Sequence, residues 1–128
     1  MRIVYFGNGP RGLKCLQTLL EKGEELVAVV GHAGKKTSVV EFAESENIPT
    51  FQPTRVNSPE FREKLVQVEG QLFILSGYSK ILKSELINLP EKGCINLHGG
   101  KLPEYRGTAP INWQIINGET VGGCCVLY

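Results

Sequence analysis

Apolar and polar positions alternate along this chain in blocks that switch between strand and helix spacing. Residues 3–6 (Ile-Val-Tyr-Phe) form a short apolar run that ends at Gly7. Leu13, Leu16, Leu19 and Leu20 then recur at helical spacing, which predicts a helix with one buried face. Residues 26–30 (Leu-Val-Ala-Val-Val) read as a second strand, closed by Gly31. Ser38 with Glu41 matches a capping box and predicts a helix through Asn47. Ile48-Pro49-Thr50-Phe51 follows as a short edge strand, because a proline cannot donate to a central ladder.

The second half repeats the alternation. Ser58-Pro59 supplies an N-cap and a first-turn proline for a helix to about Val68. Residues 72–75 predict a fourth strand, residues 84–88 a short helix stopped by Pro90, and residues 94–98 a buried fifth strand. Pro110 opens a helix over residues 111–117 with Gly118 as its stop, and a further strand begins at Val121. This order predicts an α/β fold, a Rossmann-like, doubly wound and mostly parallel sheet flanked by helices.

The fifth strand departs from its class. Both faces of a parallel strand are normally apolar. In Cys94-Ile95-Asn96-Leu97-His98, however, Asn96 and His98 share one face and Ile95 and Leu97 the other. Ligands of open α/β sheets bind outside the carboxyl ends of the strands, which is where Asn96 and His98 fall. An uncharged amide donor beside an imidazole suits an oxyanion forming at a carbonyl, so the pair reads as candidate catalytic residues polarising an acyl group under attack by an amine. In the loop that follows, Arg106 can hold a phosphate or carboxylate bidentately or make a structural ion pair. Lys80, after the fourth strand, is a further candidate anion contact.

Composition narrows the chemistry. The 128 residues carry a formal charge of +1, which gives no general attraction to nucleic acid or anionic membrane. Four cysteines without a Cys-x-x-Cys pair read as buried free thiols in a reducing cytoplasm, not as a metal site. All thirteen acidic residues are glutamate. Gly7-Asn8-Gly9-Pro10-Arg11-Gly12 matches the dinucleotide fingerprint G-x-G-x-x-G, but Gly31-His32 stands where the acidic ribose ligand belongs. The loop therefore reads as a tight packing turn, or as a phosphate or carboxylate site through Gly9 at the helix N-terminus. His32, beside Gly34-Lys35-Lys36, reads as an exposed loop histidine.

The run from Ile95 through Asn96, His98, Gly99-Gly100-Lys101-Leu102-Pro103-Glu104-Tyr105-Arg106-Gly107 to Ile111 resembles the signature of the formyltransferases that use 10-formyltetrahydrofolate, a group that includes methionyl-tRNA formyltransferases and sugar N-formyltransferases. Residues 48–53, the loop 76–82, Asn112-Trp113 and residues 116–119 extend the resemblance over nearly the whole chain. It implies that Asn96 and His98 belong to a catalytic Asn/His/Asp set. It also implies that Ser76, Gly77, Tyr78, Ile81 and Leu82 line a folate pocket, with Lys80, Arg106 and Gly9 contacting the acceptor and no metal taking part. Gly100 stands where the family usually has serine, and no aspartate follows His98. The expectation is an N-terminal catalytic domain over 1–128, incomplete at its C-terminal end and inactive alone, with a homodimer compatible with it. The acceptor implied by the short loop 31–37 and by Asn112-Trp113 is a nucleotide-linked amino sugar. Methionyl-tRNA is the alternative, and a folate- or nucleotide-binding module without catalysis is the reading of another class.

Overall fold

A computed structural model describes all 128 residues. Six strands form one sheet in the order β3-β2-β1-β4-β5-β6. They are β1 (Arg2–Gly7), β2 (Glu25–Val30), β3 (Thr50–Phe51), β4 (Leu72–Ser76), β5 (Cys94–His98) and β6 (Cys125–Leu127). The first five run parallel, and β6 pairs antiparallel with β5. The helices are α1 (Gly9–Glu21), α2 (Ser38–Ser45), α3 (Pro59–Val68), α4 (Ser84–Ile87) and α5 (Pro110–Ile116). None is long and apolar enough to cross a membrane.

Strand alternation divides the core into two. Ile3, Tyr5, Val29 and Ile74 face one side, where Leu16 of α1 and Val39 and Ala43 of α2 complete a cluster. Val4, Phe6, Val30 and Phe73 face the other and meet Phe61 and Leu65 of α3 and Leu86 of α4. Helices α1 to α4 thus present apolar residues to the sheet from both sides, as a doubly wound arrangement requires, whereas α5 leaves Ile111, Trp113, Ile115 and Ile116 exposed.

The predicted elements appear with three corrections. Thr37, not Ser38, is the N-cap of α2, and its buried hydroxyl makes no hydrogen bond, so the capping box is not formed. This helix also ends at Ser45, because Asn47 turns into the left-handed region at φ 58°. Residues 121–124 do not extend the last strand, which pairs only opposite Asn96, Leu97 and His98. The N-cap of α3 forms as expected, with Ser58 Oγ accepting from the Phe61 amide at 3.3 Å.

Gly12 lies inside α1, not in a loop before it. A Cβ there would stand 2.8 Å from the Ser76 carbonyl oxygen, a backbone atom that cannot step aside. Gly12 is thus a packing device joining α1 to the sheet. Gly12→Ala should lower stability by about 1–3 kcal/mol, the usual consequence of overpacking. Denaturant titration checks this as a fall in midpoint at constant m-value, and an unchanged midpoint would show that helix and sheet are not this close.

Candidate functional site

The site is built where the carboxyl ends of β1, β4 and β5 come level. Gly7 pairs with Ser76, and Ser76 pairs with Leu97. Ile95 and Leu97 pack on the α1 side of the sheet, and Cys94 packs on the α3–α4 side. Asn96 and His98 alternate with the former pair, as the sequence pattern requires. Yet β5 is half-buried along its length rather than buried. The reason is that Asn96 faces an open cavity and the covering strand β6 is only three residues long.

That cavity has a volume of about 390 Å³ and a largely apolar wall. The loop after β4 contributes Tyr78, Lys80, Ile81 and Leu82, and Leu127 and Tyr128 close the far side. Ser76 and Gly77, expected to line it, do not. Ser76 is the buried last residue of β4, and Gly77 makes the turn at φ 71°. Ile81 is largely solvent-exposed at the mouth, whereas Leu82 belongs to the core. Burial pushes the Tyr78 phenol up to about 12 and the Cys94 thiol up to about 11, so both are neutral near pH 7.

The Asn96 side chain makes no hydrogen bond within the chain, so its amide is free for a ligand in the cavity it lines. His98 is fixed by its neighbour loop, its Nε2 lying 2.6 Å from the Tyr105 carbonyl oxygen. A carbonyl only accepts, so Nε2 carries the hydrogen, and in the neutral ring Nδ1 is the free acceptor. Tyr105 is held in turn. Its hydroxyl donates to Glu119 at 2.8 Å and accepts from Asn117 at 3.3 Å, and Lys101 bonds the other oxygen of Glu119 at 2.5 Å. This surface cluster ties the loop 99–107 to the residues after α5. Gly100 suits the same packing, since a Cβ there would stand 2.6 Å from Pro110 Cβ and 3.0 Å from the Tyr105 carbonyl oxygen.

The other sequence candidates separate. Lys80 reaches the cavity. Arg106 is exposed and makes no ion pair, so its structural reading is not realised. Gly9 is the first residue of α1, at φ 69°. The cysteines are not buried: Cys15, Cys94 and Cys125 are half-buried and Cys124 is exposed. His32 is not a solvated loop residue either. It is half-buried, and its Nε2 accepts a hydrogen bond from the Ser79 amide at 3.1 Å. Nothing in its local sequence signals that contact, which joins residues 47 positions apart.

The fold and site define a class, and comparison with known proteins identifies it. The formyl transferase family model matches residues 1–128, and the chain belongs to that family. It is 42% identical to a methionyl-tRNA formyltransferase of Acetivibrio thermocellus and 40% identical to one of Caldanaerobacter subterraneus. Those matches take in 100% and 96% of this chain but 44% and 43% of the relatives, so the chain spans less than half their length. Among solved structures, phosphoribosylglycinamide formyltransferase of Bacillus halodurans superposes with a TM-score of 0.85 at 21% identity, over 100% of this chain and 71% of that one. This likeness supports the Rossmann-like fold.

The Glu119 cluster makes a pH prediction. The Lys101 ammonium, joined by the Tyr105 hydroxyl, holds the Glu119 carboxyl below the ordinary carboxylate value. A depressed folded-state pKa contributes stability that is complete above the unfolded value and lost as pH falls through the folded one. Protection of the Tyr105 amide, measured against its intrinsic exchange rate, should therefore fall as pH drops below the ordinary carboxylate range, and Glu119→Gln should show the lower protection already at pH 7. Equal protection in the variant would mean that the cluster does not hold the loop.

Proposed function

We propose that residues 1–128 form an N-terminal catalytic domain that transfers a formyl group from 10-formyltetrahydrofolate to a primary amine. The observation that carries this reading is the uncommitted Asn96 amide beside an apolar cavity, two residues from a histidine whose Nε2 is already engaged. The folate ring packs in the cavity against Tyr78, Ile81 and Leu82, and the formyl group reaches Asn96. The acceptor amine attacks the formyl carbon, and its electron pair forms the new C–N bond while the carbonyl oxygen gathers negative charge. The Asn96 amide donates to that oxyanion. The His98 imidazole takes the proton the amine sheds, at Nδ1, and returns it to the folate nitrogen as the oxyanion collapses to a carbonyl and the bond from that nitrogen to the formyl carbon breaks.

The relatives named above favour methionyl-tRNA as the acceptor over a nucleotide-linked amino sugar. One observation keeps the amino sugar as a second reading: the turn from Gly31 to Thr37 is short and offers only Lys35 and Lys36 to backbone phosphates. Arg106 and Lys80 are then the anion contacts for either acceptor, with Gly9 at the start of α1 as a further candidate. The reaction needs no metal, and its substrates fit a cytoplasmic enzyme. Within the chain, Glu119 is occupied by Lys101 and Tyr105 and so does not serve as the carboxylate that orients His98.

Offering labelled 10-formyltetrahydrofolate to the protein expressed from its complete gene, with methionyl-tRNA and separately with a nucleotide amino sugar, tests both acceptors in one assay. Asn96→Ala and His98→Ala should each lower the transfer rate by about 10²–10³ in kcat, as loss of an oxyanion donor does, with donor binding by calorimetry little changed. Near-normal rates in either variant would remove that residue from the mechanism. Donor binding without transfer to any amine would favour a binding module.

A further inference from the structure

The cavity wall at residues 78–82 is loop, and a loop holds a ligand only where the scaffold fixes it. Two of its fastenings are plain packing: Gly77 backs onto the Asn8 carbonyl, and the Tyr78 ring stands edge-on to Phe6 at 5.5 Å between centroids. The third comes from the other side of the sheet. His32, just past β2, sends Nε2 to the Ser79 amide at 3.1 Å, lies 3.2 Å from Ser79 Oγ, and sets its ring 4.8 Å from that of Tyr78. The His32 carbonyl accepts from Gln52 Nε2 at 2.7 Å, beyond the end of β3. A line of contacts thus runs from the edge strand to the cavity.

We propose that His32 is a positioning residue for the formyl-donor pocket: its neutral ring, protonated on Nδ1, accepts the Ser79 N–H at Nε2 and so sets the wall against which the donor packs. The proposal rests on the reading of that cavity as the donor site. The side chain serves two needs at once, a flat face for Tyr78 and an in-plane acceptor for Ser79. Protonation would remove the acceptor. The groups facing the ring are Tyr78 and the Lys80 ammonium from the loop after β4, while the Gln52 amide from the β3 side donates to the His32 backbone carbonyl. On its own turn lie Lys35 and Lys36, the latter paired with Glu44 of α2 at 2.7 Å. Burial, aided by Lys80, holds the imidazole below its ordinary pKa, so the ring is neutral at pH 7. A depressed folded-state value means that this contact is complete above the unfolded pKa and is lost as pH falls through the folded one.

The test combines calorimetry with 5-formyltetrahydrofolate as probe and nitrogen-15 NMR of the His32 ring. His32→Ala should weaken probe binding about tenfold, the worth of one lost hydrogen bond. His32→Gln, whose amide oxygen can accept from Ser79, should bind nearly as the wild type does. Wild-type binding should weaken on acidification below the ordinary imidazole range, in step with a shift of the Ser79 amide, and the Gln variant should lack this dependence. The ring spectrum should show Nδ1 protonated and Nε2 bare at pH 7. Wild-type affinity in the Ala variant, or a proton on Nε2, would overturn the proposal. Absence of probe binding by the wild type, with the ring spectrum as expected, would instead locate the failure in the donor-site reading, and the pocket role would fall with it.

Discussion

Every feature of the site depends on how closely the turn after β1 approaches the turn after β4. The Asn8 amide donates to the Ser76 carbonyl at 3.2 Å, Gly12 packs against the same carbonyl, and Gly77 packs against the carbonyl of Asn8. No side chain intervenes. The approach aligns β1 with β4, the β4–β5 register then places Asn96 beside Leu75, and the loop leaving Gly77 forms a wall of the cavity that Asn96 faces. Two glycines, whose missing Cβ atoms allow backbone to meet backbone, thus position residues 19 or more places away.

The same logic separates rigid from adjustable parts. Asn96 is on a strand paired on both sides, so its backbone is fixed, while its side-chain amide makes no hydrogen bond within the chain. His98 ends that strand and takes its orientation from the Tyr105 carbonyl, hence from the exposed Glu119–Lys101–Tyr105 cluster. Exposed ion pairs hold weakly and respond to salt and pH.

Much of the fold was legible because helix and strand periods differ and because Gly and Pro punctuate the chain at their boundaries. Residues 94–98 appear as the predicted strand, and the Asn96–His98 face was visible as polar positions where apolar ones belong. Ser58 was readable because an N-cap is a local event. Thr37 was misplaced by one residue, because the choice between adjacent hydroxyls depends on how tightly Gly31 packs against Val40 of α2. The extent of β6 and the half-burial of β5 were not legible, since both depend on pairing between residues about thirty apart. His32 was missed for the same reason. Its partner comes from another turn, and an isolated histidine beside lysines looks like solvent-exposed charge. The short loop and a few residues point to an amino sugar, whereas the relatives that match the chain across its whole length are methionyl-tRNA formyltransferases.

The most direct measurement is a map of amide chemical-shift changes on adding 5-formyltetrahydrofolate to the isotope-labelled chain. The account predicts that the changes concentrate at Tyr78–Leu82 with Asn96 and Leu127, the rim of the cavity at the end of β5. A cavity of about 360 Å³ lies on the same molecule between Phe51, Arg55 and Lys64 and has no such pair beside it. Changes confined to that second cavity, or no saturable change at all, would contradict the assignment of Asn96 and His98 to a formyl-donor site.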